Sequence, residues 1–141
     1  MSSYTVANLP RISGDTLANL VRQKAPGLAI IDVRDNDYIG GHILGGQNIP
    51  VGQHDYRMPE LVRTLKDKDT VVFHCALSQQ RGPGSALRYL RERERLSSVG
   101  ASEEKQKVYV LEGGFVKWQE SYGEDKDLTE GYDKELWEFG Y

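Results

Sequence analysis

The chain has a single cysteine in 141 residues, so an internal disulfide cannot form. A reducing compartment is therefore expected, cytoplasmic with the nucleus as a second location. No apolar run approaches the ~18–20 residues that span a bilayer. The opening Met1-Ser2-Ser3-Tyr4 lacks a basic segment followed by an apolar one, so no secretory signal and no membrane partner are expected. Basic charge is not in excess. Lys and Arg number 18 against 21 Asp and Glu, a net charge of −3, which argues against nucleic acid as a partner. Histidine is scarce as well. Three histidines and one cysteine, none at metal-ligand spacing, exclude a structural zinc site and leave no metal to expect. What remains is 38% hydrophobic and 28% charged, the balance of a soluble globular chain long enough to bury a core as one domain over 1–141.

Strand and helix patterns alternate. Ser13-Gly14-Asp15 followed by Leu17, Leu20 and Val21 reads as a capped helix. Leu28 to Val33 and Thr70 to Phe73 are apolar runs suited to strands buried on both faces, and Val108 to Leu111 is a third. Asn48-Ile49-Pro50 predicts a short edge strand stopped by proline. Pro59 to Leu65 predicts a helix with proline near its first turn, and Pro83 to about Leu96 a longer one. Ser97 to Lys107 is polar and reads as a loop. Gly113-Gly114 leads into a helix holding Phe115, Trp118, Gln119 and Tyr122. The fold expected is α/β, a mostly parallel central sheet with helices on both faces, its core over about 7–123 and an irregular C-terminal tail over 124–141.

The one cysteine stands where such a sheet gathers ligands. Cys75 follows the apolar run Val71-Val72-Phe73 and precedes Arg81 by a short loop, Ala76-Leu77-Ser78-Gln79-Gln80, after which Gly82-Pro83 opens a helix. Loops at the C-terminal ends of parallel strands form binding sites. The loop's backbone N–H groups can curl toward one tetrahedral anion, and the helix N-terminus adds positive potential. Arg81 adds a planar fork for two oxygens. The same field favours a thiolate at Cys75, a nucleophile. Cys75 and Arg81 are thus the candidate catalytic residues. Ala76, Leu77, Ser78, Gln79, Gln80 and Arg81 form the candidate oxyanion-binding loop, with the Ser78 hydroxyl in reach of the thiolate.

Other residues have plainer readings. His74 precedes the cysteine on a strand, so its side chain points to the opposite face and braces the loop. His42 sits in a turn pattern, and His54 is a polar loop residue without a role. Asp32 ends a strand and anchors Arg34 or a neighbouring turn. Asp35, Asp37 and Asp55 are exposed carboxylates, among which spacing cannot choose a leaving-group acid. Phe115 and Trp118 lie at core spacing.

Three segments in order carry a resemblance. Ile31-Asp32-Val33-Arg34, Tyr38, Gly41-His42-Ile43 and Asn48-Ile49-Pro50 form the first. The Cys75 loop is the second, and Leu111-Glu112-Gly113-Gly114-Phe115 with Trp118 is the third. Over roughly 7–123 the chain resembles the rhodanese superfamily. Its loop of seven residues, Cys75 to Arg81, is one longer than that of the sulfurtransferase members. That length resembles the cell-division-cycle dual-specificity phosphatases and the related small arsenate reductases of fungi and plants. The resemblance implies a single rhodanese-like domain and a phosphatase acting on phosphotyrosine or other aryl phosphates through a phosphocysteine, without metal or organic cofactor. It also implies, as the runner-up, an arsenate reductase, which would draw on an external thiol from glutathione or glutaredoxin. Thiosulfate sulfur transfer and a non-catalytic phosphate-binding module are weaker alternatives. The chain departs from the cell-cycle enzymes in two respects and from the plant relatives in a third. Ala76 and Gln80 stand where the cell-cycle enzymes carry acidic residues, no second cysteine guards the first, and the zinc-binding cysteines of plant relatives are missing.

Overall fold

Register along three parallel strands decides where every loop of interest ends up. The computed structural model describes residues 4–96 and 106–140. Strands β2 (Leu28–Asp32), β5 (Thr70–His74) and β6 (Lys107–Leu111) run side by side, with Asp32 opposite His74 and Phe73 opposite Val110. Their C-terminal ends are level, so the segments after Asp32, His74 and Leu111 emerge at one edge. β1 (Arg11–Ile12) joins beyond β6, and β4 (Gln47–Asn48) beyond β2, giving the order β1-β6-β5-β2-β4, parallel throughout.

Side-chain alternation sorts the two cores. Ala29, Ile31, Val33, Val71, Phe73 and Cys75 face α2 (His54–Leu65) and α3 (Arg81–Leu96). Ile30, Val72 and Leu111 face α1 (Gly14–Arg22) and α4 (Gly114–Tyr122), where Phe115 and Trp118 are buried. Helices cover both faces, as the alternating pattern predicts. Ser13 caps α1, its hydroxyl accepting from the Thr16 N–H at 3.1 Å.

Two helices begin earlier than the sequence suggests. α2 starts at His54, with Pro59 inside it. The missing proline N–H removes only the bond to the Asp55 carbonyl, while Met58, Leu61, Val62 and Leu65 are buried in the core. His54 is therefore no loop residue. It is buried, its Nε2 donates to the Ile49 carbonyl at 3.0 Å, and burial pushes its pKa below the usual histidine value. α3 starts at Arg81, so Pro83 falls in the first turn, where an N–H has no partner in the helix.

The irregular tail expected over 124–141 instead holds β7 (Thr129–Glu130), antiparallel to β3 (His42–Ile43), and α5 (Lys134–Phe139). Leu128 is fully buried, and Trp118 Nε1 donates to Thr129 Oγ1 at 2.9 Å. Trp137 Nε1 donates to the Gly40 carbonyl at 2.8 Å, pinning the segment that follows β2. Most of the loop expected over 97–107 lies outside the described residues. Among them, no helix is long and apolar enough to cross a membrane.

Candidate active site

Cys75 leaves β5 on the α2/α3 side, only 3% exposed. Its Sγ accepts the Ser78 N–H at 3.2 Å and the Gly82 N–H at 3.3 Å. The loop between curls because its carbonyls have partners elsewhere. The Cys75 carbonyl accepts from the Phe115 N–H at 3.0 Å and the Ala76 carbonyl from Val116 at 2.9 Å, both on the first turn of α4. The Ser78 carbonyl accepts from Arg11 Nη1 at 3.1 Å. A trans peptide sets its N–H opposite its C=O, so the Ala76, Leu77 and Gln79 N–H groups are turned away from those partners. Ser78 sits at φ +56°, a left-handed conformation that costs a non-glycine residue roughly 1–2 kcal/mol and that lets the loop turn back on its own sulfur.

Two glycines make the approach possible. At Gly82 a Cβ would stand 3.3 Å from the His74 Cα and 3.4 Å from Ser78 Oγ. At Gly114 it would fall 2.3 Å from the Ala76 carbonyl oxygen, and φ is +61°. Gly114→Ala is therefore expected to cost about 2–3 kcal/mol in urea unfolding; a loss below 0.5 kcal/mol (about the size of an ordinary surface change) would contradict the close approach.

His74 is fully buried beneath the loop, its Nδ1 donating to the Cys75 carbonyl at 3.2 Å. The bracing expected from the sequence is present. Burial holds its pKa below the usual histidine value, and Nε2 lies 3.8 Å from Asp32 Oδ2. Among the described residues the buried Ser78 hydroxyl has no hydrogen-bond partner, and it is the Ser78 backbone that reaches the sulfur. Of the other loop residues, Leu77, Gln79 and Gln80 present exposed side chains.

Arg81 stands on the first turn of α3, its side chain a third exposed. Nη1 donates to Asp37 Oδ1 at 2.8 Å and Nη2 to Asp37 Oδ2 at 2.6 Å, with Asp35 Oδ2 3.6 Å from Nη1. The hydrogen bond from Arg81 holds the Asp37 carboxyl below its usual range. The Arg81 pKa rises in turn, chiefly through Asp37, with the Cys75 sulfur and Asp35 adding smaller attractions. Of the three candidate carboxylates, two thus meet the arginine. The third, Asp55, pairs with Arg88 at 2.6 Å on the exposed faces of α2 and α3.

The loop carrying Asp35 and Asp37 is held from below by Arg34, which is wholly buried. Its Nη2 lies 2.7 Å from Asp32 Oδ2 and donates to the Gly41 carbonyl at 2.9 Å, and its guanidinium stacks 4.5 Å from the Phe115 ring centre. The sequence points to Asp32 and Arg34 as partners but not to the Asp37–Arg81 pair, the sulfur bond from Gly82, or the brace from Arg11. A glycine directly after the arginine was the one local signal for the second of these. Among the described residues, no group of three or more His, Cys, Asp or Glu side chains is arranged to hold a metal ion.

A family model described as a rhodanese-like domain matches residues 13–121. The CDC25-like phosphatase YCH1 of Saccharomyces cerevisiae is 34% identical over 154 residues, spanning 97% of this chain and 99% of that protein. Arsenate reductase 2.2 of Oryza sativa subsp. japonica is 38% identical over 109 residues, 77% of this chain and 80% of the relative. Among solved structures, Ygr203w, a yeast protein tyrosine phosphatase of the rhodanese family, matches with a TM-score of 0.80 at 33% identity, covering 96% of this chain and 99% of that one.

Proposed function

The chain belongs to the rhodanese-like domain family, and on that premise we propose that it is a cysteine-dependent phosphatase acting on aryl phosphates and phosphotyrosine. The observation that carries this reading is the Cys75 sulfur accepting two backbone N–H groups at the N-terminus of α3, with Arg81 on that same turn. The loop N–H groups and the helix terminus supply donors and positive potential for an anion held against the sulfur.

In the reaction the phosphate ester enters as a dianion. Backbone N–H groups of Ala76 to Arg81 and the Arg81 fork hold its nonbridging oxygens. Cys75 Sγ attacks phosphorus in line, forming the S–P bond as the P–O bond to the leaving group breaks. A phenol leaves as the phenolate, which needs no proton at the moment of departure, so aryl esters suit a loop without its own carboxylic acid. Water then attacks phosphorus, releasing phosphate and the thiolate. Catalysis is positioning and charge stabilisation by donors already in place.

Arsenate reduction is the second reading, favoured by the rice relative's name and by the lack of a loop acid. There Cys75 displaces hydroxide from arsenate to form an S–As bond. A glutathione thiolate then attacks Cys75 Sγ, the S–As electron pair passes to arsenic to give arsenite, and the mixed disulfide is reduced by glutaredoxin with further glutathione. Thiosulfate sulfur transfer fits the longer loop less well.

Hydrolysis of p-nitrophenyl phosphate compared with arsenate reduction in the presence of glutathione and glutaredoxin separates the readings. Higher kcat/KM for the ester supports the phosphatase; the reverse order replaces it with the reductase; absence of both sinks each. Arg81→Ala is expected to lower kcat/KM for the ester roughly a thousandfold and to weaken inhibition by inorganic phosphate. Arg81→Lys, which keeps the charge without the fork, should recover only a small part.

A further inference from the structure

We infer that Asp37 is an internal competitor for the anion site: its carboxylate occupies the Arg81 fork in the free protein and must be displaced by any oxyanion that binds the Cys75 loop. This rests on the loop's being an oxyanion site and adds the residue that sets how tightly, and for which anions, it closes.

The two Asp37 oxygens lie on the two terminal nitrogens of Arg81 at 2.8 and 2.6 Å, the spacing two phosphate oxygens would take. Asp35 Oδ2, 3.6 Å from Nη1, adds a second negative charge to the same guanidinium. The carboxylate is not a loose side chain. Asp37 Oδ1 also accepts the Asp35 N–H at 3.0 Å, and Arg34 Nη1 donates to the Ile39 carbonyl at 3.3 Å. Trp137 and Arg34 hold Gly40 and Gly41 by their carbonyls. The loop is fixed, so exchange falls to the long Arg81 side chain, which swings from the carboxylate to the ligand.

Exchange has a cost that selects ligands. The departing guanidinium leaves Asp37 and Asp35 unpaired beside an incoming anion, and like charges repel at this range. A tetrahedral dianion recovers the loss by filling both the fork and the ring of loop N–H groups. A monoanion or planar carboxylate fills only the fork, where it offers nothing that Asp37 does not already provide. Asp37 thus makes the site selective for tetrahedral dianions and lowers its affinity even for those.

The test is calorimetric titration of the full chain with inorganic phosphate and with tungstate, neither of which is turned over. Asp37→Asn keeps the oxygen that accepts the Asp35 N–H and removes the charge. It is expected to bind both anions roughly ten-fold tighter, and Asp37→Ala to bind tighter as well. Asp55→Asn, the same charge change on α2, should leave affinity unaltered. Thermal melts establish that each variant is folded. Unchanged or weaker binding by folded Asp37 variants overturns the inference, as does equal tightening by Asp55→Asn. If the wild-type chain binds neither anion, or binds them equally well after Arg81→Ala, the oxyanion-site reading itself falls.

Discussion

Cys75→Ser is expected to abolish hydrolysis of p-nitrophenyl phosphate, with turnover below about one part in ten thousand of wild type, while inorganic phosphate binds within a few-fold of its original affinity. The two halves of this result have separate causes. A serine hydroxyl is a far weaker acid and a poorer nucleophile than a cysteine thiol, so the attacking electron pair is lost. The anion cradle is built from other atoms. Its carbonyls are held outside by Phe115, Val116 and Arg11, and its fork is the Arg81 side chain. None of these depends on sulfur. The hydroxyl can accept the Ser78 and Gly82 N–H groups that Sγ accepts at 3.2 and 3.3 Å, so the loop keeps its curl. Turnover retained in the serine variant removes Cys75 from the chemistry. Loss of phosphate binding together with turnover shows instead that sulfur shapes the loop. A companion measurement is alkylation by iodoacetamide at about pH 6, where an ordinary thiol reacts slowly. Modification that added phosphate slows is expected for a sulfur inside the oxyanion cradle.

Much of this site was legible in the sequence because its central part is local. Val71 to Arg81 is one continuous strand, loop and helix start, and each piece carries its own signal: apolar run, thiol, arginine, Gly-Pro. The level ends of β2, β5 and β6 follow from the rules of parallel sheets. What could not be read was set by tertiary contact. Asp37 and Arg81 are 44 residues apart, and nothing near Asp37 distinguishes it from Asp35 or Asp55 until the loop is folded over α3. β1 and β7 have two residues each and exist as strands only through their ladders to β6 and β3. The start of α2 was misplaced because proline inside a helix reads as a boundary, yet the buried Met58 and Leu61 on either side of Pro59 outweigh one missing backbone bond.

The largest loss of stability is expected from Arg34→Met. Asp32 and Arg34 are 2% and 0% exposed, and the guanidinium meets the carboxylate through Nε at 3.0 Å and Nη2 at 2.7 Å. Removing the cation leaves a carboxylate in the core with the Arg34 backbone N–H as its remaining close donor, at 3.1 Å. A charge stranded in this way costs about 3–5 kcal/mol, because desolvation is no longer compensated by the partner. The Gly41 and Ile39 carbonyls lose their donors in the same step, so the segment that positions Asp35 and Asp37 loosens as well. Urea unfolding should therefore report a drop of about 3–5 kcal/mol for the single variant. The double variant Asp32→Ala/Arg34→Met should be more stable than Arg34→Met alone, since it no longer buries an unpaired charge. A drop under about 1 kcal/mol, the range of an exposed pair, with no recovery in the double variant, means that the pair is solvated and does not anchor the loop. The same experiment bears on Arg81. If Arg34 holds Asp37 in place, then loosening it should tighten phosphate binding in the direction of Asp37→Asn. Weaker binding would mean that the anchored loop serves mainly to aim the arginine.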